Sequence, residues 1–318
     1  MRSTDPGLLA VEVQPRYRDL LSGHWPVVAH PEPDELLSSW LHRLAVGNGV
    51  PPKAFGPALD LGSGAWSGRL DLVLPAPVRD QLVRCTGVTS EAVGGMTLAG
   101  VGARALVLPL RSDLSPGRRG RRQAAWLQFC PRCLVEDAQP YFRRDWRLAT
   151  TIACPRHGGR LLDRCPSCKQ GLAPFAQDSL RSQTECAACG FDLAAAKAPR
   201  LGPTAQRAAA NLADLGRSAT DANPALVDAI LALPAKLDPR APALTALPTS
   251  DRARALPALA RAIDRLFADP VAGSAGRKRR LRAPPQASLP SLLAAYATLR
   301  RRRCDRLPGT ADVEPSSS

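Results

Sequence analysis

The sequence predicts a mainly α protein in which two helical regions flank a compact Cys/His-rich module. Three observations predict it. Apolar residues recur at helical spacing on both sides of residues 126–195, the cysteine-rich block. Aromatic residues make up only 4% of the chain, while Gly and Pro number 24 and 31, which suits small helical units joined by Pro-rich connectors better than one large sheet. Four ligand-type pairs, each separated by two residues, fall within residues 130–189. A length of 318 residues points to two or three domains.

The elements follow in order. Residues 1–32 read as irregular, punctuated by Pro6, Pro15, Pro26 and Pro31. In the next segment Leu36, Leu37, Trp40, Leu41 and Leu44 fall on one helical stripe. Asp34 and Glu35 sit where a first helical turn favours negative charge, and Gly47, Asn48 and Gly49 should stop the helix. Pro51 and Pro52 suit the start of a second helix reaching about Leu59, giving a helix-turn-helix outline. A second such unit is predicted from a helix at 77–86, a turn at Gly87 and an N-cap at Thr89. Residues 101–112 read as a short strand and 115–123 as a basic loop. After the Cys-rich block, helices separated by prolines are expected over 202–270. A basic linker at 273–285, an amphipathic helix ending in arginines and a polar tail complete the chain. The expected divisions are 1–125, 126–195, 196–272 and 273–318.

The sharpest signal is Cys130-Pro-Arg-Cys133 followed by Cys154-Pro-Arg-His157, then Cys165-Pro-Ser-Cys168 followed by Cys186-Ala-Ala-Cys189. Two donors two residues apart can turn back on one ion, and a second pair completes a tetrahedron. Thiolate and imidazole are the donors zinc prefers. The spacing therefore predicts a double zinc-knuckle (zinc-ribbon-like) module holding two structural Zn2+ ions. Three cysteines and a histidine would bind one ion, and four cysteines the other. With four protein ligands each, neither leaves the open position a catalytic zinc needs. Interleaved pairing of the first and third pairs is an alternative, as is an iron–sulfur cluster in the second site. Cys85 and Cys304 stand apart from these pairs and read as small core or surface residues; His42 reads as a packing residue. Asp34, Glu35, Asp137, Asp145 and Asp163 read as caps or surface charges, and no phosphate-binding GxxxxGK[ST] loop occurs.

Net charge is +15, and the segment after residue 195 carries +10 of it. Such a surface attracts polyanions, nucleic acid above all. The clusters are Arg118, Arg119, Arg121 and Arg122; Arg277, Lys278, Arg279, Arg280 and Arg282; and Arg300, Arg301, Arg302 and Arg303. Guanidinium groups bind phosphate oxygens and release counterions, which gives affinity without sequence information. A solvated surface in an Arg-rich chain is the competing reading. No run of 18 apolar residues is present and the first residues lack an apolar signal region, so a cytoplasmic protein with reduced thiols and no membrane partner is expected.

These motifs together carry a resemblance. PDELLSSWLHRLAVGNGV at 33–50 and FCPRCLVEDAQPYFRRDWRLATTIACPRHGGRLLDRCPSC at 129–168 resemble the TniQ family of transposition proteins, which includes the target-selecting TnsD proteins. The resemblance covers about residues 20–195. It implies a non-catalytic protein that selects or marks a target site for a mobile element. Its implied partners are DNA or an RNA-guided effector complex and the transposon AAA+ ATPase; the transposase and a second copy in a homodimer are further candidates, and the sequence does not fix the oligomeric state. It carries the eight metal ligands over directly. Tyr141, Phe142, Arg143, Trp146 and Leu148 look like the family's connecting segment; Tyr141, Trp146 and Leu148 are expected to pack the module, and Arg143, Arg144 and Arg147 to reach phosphate. A zinc-containing helix-turn-helix transcription regulator is the alternative.

Overall fold

The apolar stripe of the first segment forms α1 (Leu37–Gly47), which buries Leu37, Trp40, Leu41, Leu44 and Ala45. This computed structural model describes residues 23–59, 67–110 and 125–268. The sequence places Asp34 and Glu35 in the first turn, but both precede the helix. No side chain caps α1. Instead the Leu36 N–H donates to the Phe142 carbonyl and the Leu37 N–H to that of Met96, both at 2.9 Å. At the other end, the Asn48 amide donates to the carbonyls of Leu44 and Val27, and Gly49 takes a left-handed φ of 72°.

Beyond α1 the second helix of the first expected unit is absent. Two 3-10 turns, Pro52–Ala54 and Gly56–Leu59, take its place. The Gly56-Pro57 step explains this, because proline removes a donor and disfavours α geometry in the residue before it. The second unit forms as expected. α2 (Ala76–Thr86) ends at Gly87 with φ 69°, and Thr89 accepts a hydrogen bond from the Ala92 N–H at the start of α3 (Ser90–Gly95). The expected strand at 101–112 is instead a 3-10 turn, Arg104–Leu106, followed by a single antiparallel bridge between Val107 and Leu148. Pro109 has no N–H to extend that ladder. Among the described residues every β-bridge is isolated and no continuous strand occurs, so the protein is mainly α.

The Cys-rich block contributes one short helix, α4 (Pro131–Glu136). Then follow α5 (Pro203–Ser218), α6 (Pro224–Leu231) and α7 (Thr249–Ala268). α7 runs through Pro257, which lies on its exposed side, where prolines are expected to separate helices. Ala205, Ala208, Ala209 and Leu212 of α5 share a core with Leu256, Leu259, Ala260 and Ile263 of α7. Ala103, Leu106 and Leu108 join the same core. Gly216 permits the approach of α5 to the preceding segment, since a Cβ there would overlap Thr150 Oγ1. A second core gathers Trp126, Phe129, Phe142, Trp146 and most of the clustered cysteines. A third holds α1, α2 and the buried face of α3.

Two buried polar networks join these cores. Asp71 and Arg147 are both fully buried and pair at 2.9 Å. Asp71 also accepts from the N–H and Oγ of Ser38 at 2.8 and 3.0 Å. In the other network the Gln128 side-chain amide lies within 3.2 Å of the carbonyls of Trp146, Leu148 and Thr151. Its Oε1 accepts from Thr249 at 2.7 Å and from Arg252 at 3.2 Å. Among the described residues no helix is long and apolar enough to cross a membrane.

Candidate metal centres

The two-residue spacing is converted into geometry by one repeated turn. After Cys154, the Gly158 N–H donates back to the Cys154 carbonyl at 2.8 Å and the Cys154 N–H donates to Gly159 O at 2.9 Å. Lys169 and Gln170 do the same with Cys165, and Gly190 and Phe191 with Cys186. The fifth residue of each turn has a left-handed backbone: Gly158 (62°), Lys169 (64°) and Gly190 (71°). Glycine adopts that conformation freely, whereas Lys169 carries a Cβ there at a cost. The remaining pair is built differently. Cys130 caps α4, Pro131 opens it, and Cys133 lies within it.

These turns bring the donors together in two consecutive groups of four, Cys130, Cys133, Cys154 and His157, then Cys165, Cys168, Cys186 and Cys189. Within each, all donor atoms lie within 4.8 Å of one another. The pairing is sequential, not interleaved. In the first group His157 Nδ1 lies 3.3, 3.4 and 3.4 Å from the sulfurs of Cys130, Cys133 and Cys154. The Cys133 and Cys154 sulfurs are 3.6 Å apart. In the second, Cys165 and Cys189, and likewise Cys168 and Cys186, are 3.7 Å apart. A zinc–sulfur bond of about 2.3 Å gives tetrahedral edges of about 3.8 Å, so both groups have dimensions that can hold a metal ion.

The surroundings differ. Cys130, Cys133 and Cys154 are buried and His157 half-buried, whereas in the second group Cys168 is half-buried and Cys189 exposed. Hydrogen bonds from Cys130 and then Cys133 hold the Cys154 thiol down to about 3, while its bonds to Cys130 and Cys154 push Cys133 up. Burial pushes Cys165 up to about 12, and the Phe191 backbone hydrogen bond draws Cys189 down to about 7. A bound cation would favour the deprotonated form of every sulfur.

The connecting segment packs against the first group. Phe142 and Trp146 meet edge to face, with centroids 6.1 Å apart. Arg143 lies between the rings of Tyr141 and Trp146, 4.3 and 4.9 Å from their centroids, and pairs with Asp137 at 2.8 Å. Arg144 pairs with Asp34 at 2.8 Å and keeps a quarter of its side chain exposed. Arg147 has no exposed surface; its guanidinium belongs to Asp71 and to the face of Trp126 at 4.5 Å. The expectation that Arg147 contacts phosphate is therefore corrected, because a buried, paired guanidinium cannot meet a solvated backbone. The remaining expected phosphate contacts, Arg118, Arg119, Arg121, Arg122, Arg277, Lys278, Arg279, Arg280, Arg282, Arg300, Arg301, Arg302 and Arg303, lie outside the described residues, as does Cys304.

Of the carboxylates read as caps or surface charges, Glu35 and Asp163 are buried. Glu35 is 1% exposed and accepts from Ser39 Oγ at 2.9 Å. Burial pushes its carboxyl up to about 7 against the opposing pull of Arg43. Asp163 accepts from the Thr249 N–H at the start of α7. His42 is buried with its Nε2 unpaired, as a packing residue, and burial lowers its pKa to about 4. Sequence reading did not single out Glu136, whose Oε2 lies 2.7 Å from His157 Nε2; its position three residues after a ligand in α4 was the one signal for it.

Residues 26–161 match the family model TniQ. The match contains all four donors of the first group and none of the second. No curated protein matches the chain.

Proposed function

We propose, from the premise that the chain belongs to the TniQ family through residues 26–161, that it selects or marks the target site of a mobile element. The family makes it a transposition-associated protein. In the finer reading, the protein is a non-catalytic adaptor. It binds DNA or a targeting complex and recruits the transposon AAA+ ATPase and transposase. Each Cys/His group holds one structural zinc ion, and the ions fix the shape of the docking surface. Basic side chains hold phosphate. Arg144 stays among these contacts, as do the basic clusters at 118–122, 277–282 and 300–303.

One observation carries this reading: the first four-donor group lies wholly inside the family match and is built into its core. Four protein donors per group favour a structural over a catalytic ion, since no ligand position is left for water. A gel-shift titration at two salt concentrations, with and without the ATPase, tests it. The adaptor reading expects DNA binding that weakens steeply with salt and a larger complex when the ATPase is added. Replacing Arg300, Arg301, Arg302 and Arg303 with Ala should weaken binding and flatten the salt slope. Divalent-ion-dependent DNA cleavage by the protein alone would contradict it.

A further inference from the structure

His157 presents its two ring nitrogens to two different partners. Nδ1 faces the three sulfurs of the first group at 3.3–3.4 Å. Nε2 points away from them and meets Glu136 Oε2 at 2.7 Å. A neutral imidazole has one N–H and one lone pair, so the group accepting from one nitrogen decides which nitrogen is free to bind a metal. A carboxylate accepts only, so Glu136 keeps the proton on Nε2 and the lone pair on Nδ1.

Glu136 is itself held in place. It ends α4, the helix that carries Cys133. Arg132, one turn earlier, pairs with its Oε1 at 3.4 Å. Arg156, beside His157 in the second knuckle, pairs with its Oε2 at 3.3 Å and also reaches Asp137 at 3.0 Å. The carboxylate is thus fixed from both pairs of the cage. Nothing equivalent is available in the second group, which has four sulfurs and no imidazole.

We infer that Glu136 is a positioning residue for the first metal centre: it fixes His157 as an Nδ1 ligand, with Arg132 and Arg156 orienting its carboxylate. The inference rests on the zinc reading above. Partners that orient a metal-bound imidazole typically change metal affinity by about 10–100-fold when removed. Glu136 is a surface group with 40% of its side chain exposed, so replacing it opens no cavity.

The test has two arms. The first measures zinc content and the rate of zinc transfer to a chelator in the wild-type, Glu136→Gln and Glu136→Ala proteins. The wild type should hold two ions. Glu136→Ala should release one of them roughly 10–100 times faster, and Glu136→Gln, whose amide oxygen still accepts from Nε2–H, should lie between. The second arm records long-range 15N–1H correlations of the histidine rings in the zinc-loaded wild type, and needs no variant to fold. His157 should show a proton on Nε2 and the metal on Nδ1. Two ions in the wild type with unchanged release from Glu136→Ala, or a metal on Nε2, would overturn this inference alone. A wild type without metal in the first cage would overturn the zinc reading and the inference with it.

Discussion

The two four-donor groups share a turn but differ in what surrounds them. The first draws its donors from the core: three buried sulfurs, a helix with Cys130 at its N-cap and Cys133 inside it, and charged neighbours at Asp137, Arg143 and Arg156. The second is a pair of turns that bury Cys165 and Cys186 in the same core but leave Cys168 half-buried and Cys189 exposed, with a lysine in one left-handed position. The same two-residue spacing therefore yields one centre whose three sulfurs are all buried and one in which two of the four sulfurs are buried. The depth of the donors, not ligand spacing, separates the two centres.

Breaking each centre in turn gives the largest expected contrast. Cys154→Ser should remove one ion and abolish the cooperative thermal transition, because structural zinc supplies apparent folding free energy on the order of 10 kcal/mol. Cys189→Ser should cost one ion but leave a recognisable transition. Elemental analysis and thermal melts followed by circular dichroism would show both, and equal losses would erase the distinction. Next in size, Asp71→Ala should destabilise by about 3–5 kcal/mol, since it strands a buried Arg147 beside Trp126. Denaturant titration measures this, and it should leave zinc content unchanged.

The pH dependence sharpens the comparison further. Glu35 lies against the strip leading to the first centre, with an isolated bridge to Arg143. Its carboxyl is raised from 4.5 to about 7 by burial, so the folded state holds the proton more tightly than the unfolded one. The resulting contribution, about 3 kcal/mol, is fully present below about pH 4.5 and is lost as pH rises through 7. Glu35→Gln should flatten the stability profile across that window. An unchanged profile would remove Glu35 from the account. The smallest effect belongs to the second centre: Lys169→Gly should stabilise its turn by about 1 kcal/mol by relieving the left-handed strain. Protection of the amides of Cys165 and residue 169, the two donors of the turn, from hydrogen exchange would rise if this is right and fall if glycine merely loosens the loop.

How far the sequence reached follows from the range of the interactions. Ligand spacing and the α1 stripe are local patterns, so the eight donors and the helix at Leu37–Gly47 could be found without coordinates. The second helix-turn-helix was legible from Gly87 and Thr89, whose conformations are set within a few residues. The first misled because the Pro51-Pro52 start signal is visible while the effect of Gly56-Pro57 on its continuation is easily discounted. Arg147, Asp71, Gln128 and Arg252 were illegible as core residues: Asp71 and Arg147 are 76 positions apart, Gln128 and Arg252 are 124 apart, and nothing local marks either end. Such polar residues read as surface until their partners are placed.

The most direct test of the central claim is to determine zinc per chain in pure protein while following its fold during chelator titration. The account predicts two equivalents, with helical signal and cooperative melting lost as zinc is withdrawn. Far less than two equivalents, in a protein whose fold ignores the chelator, would contradict it.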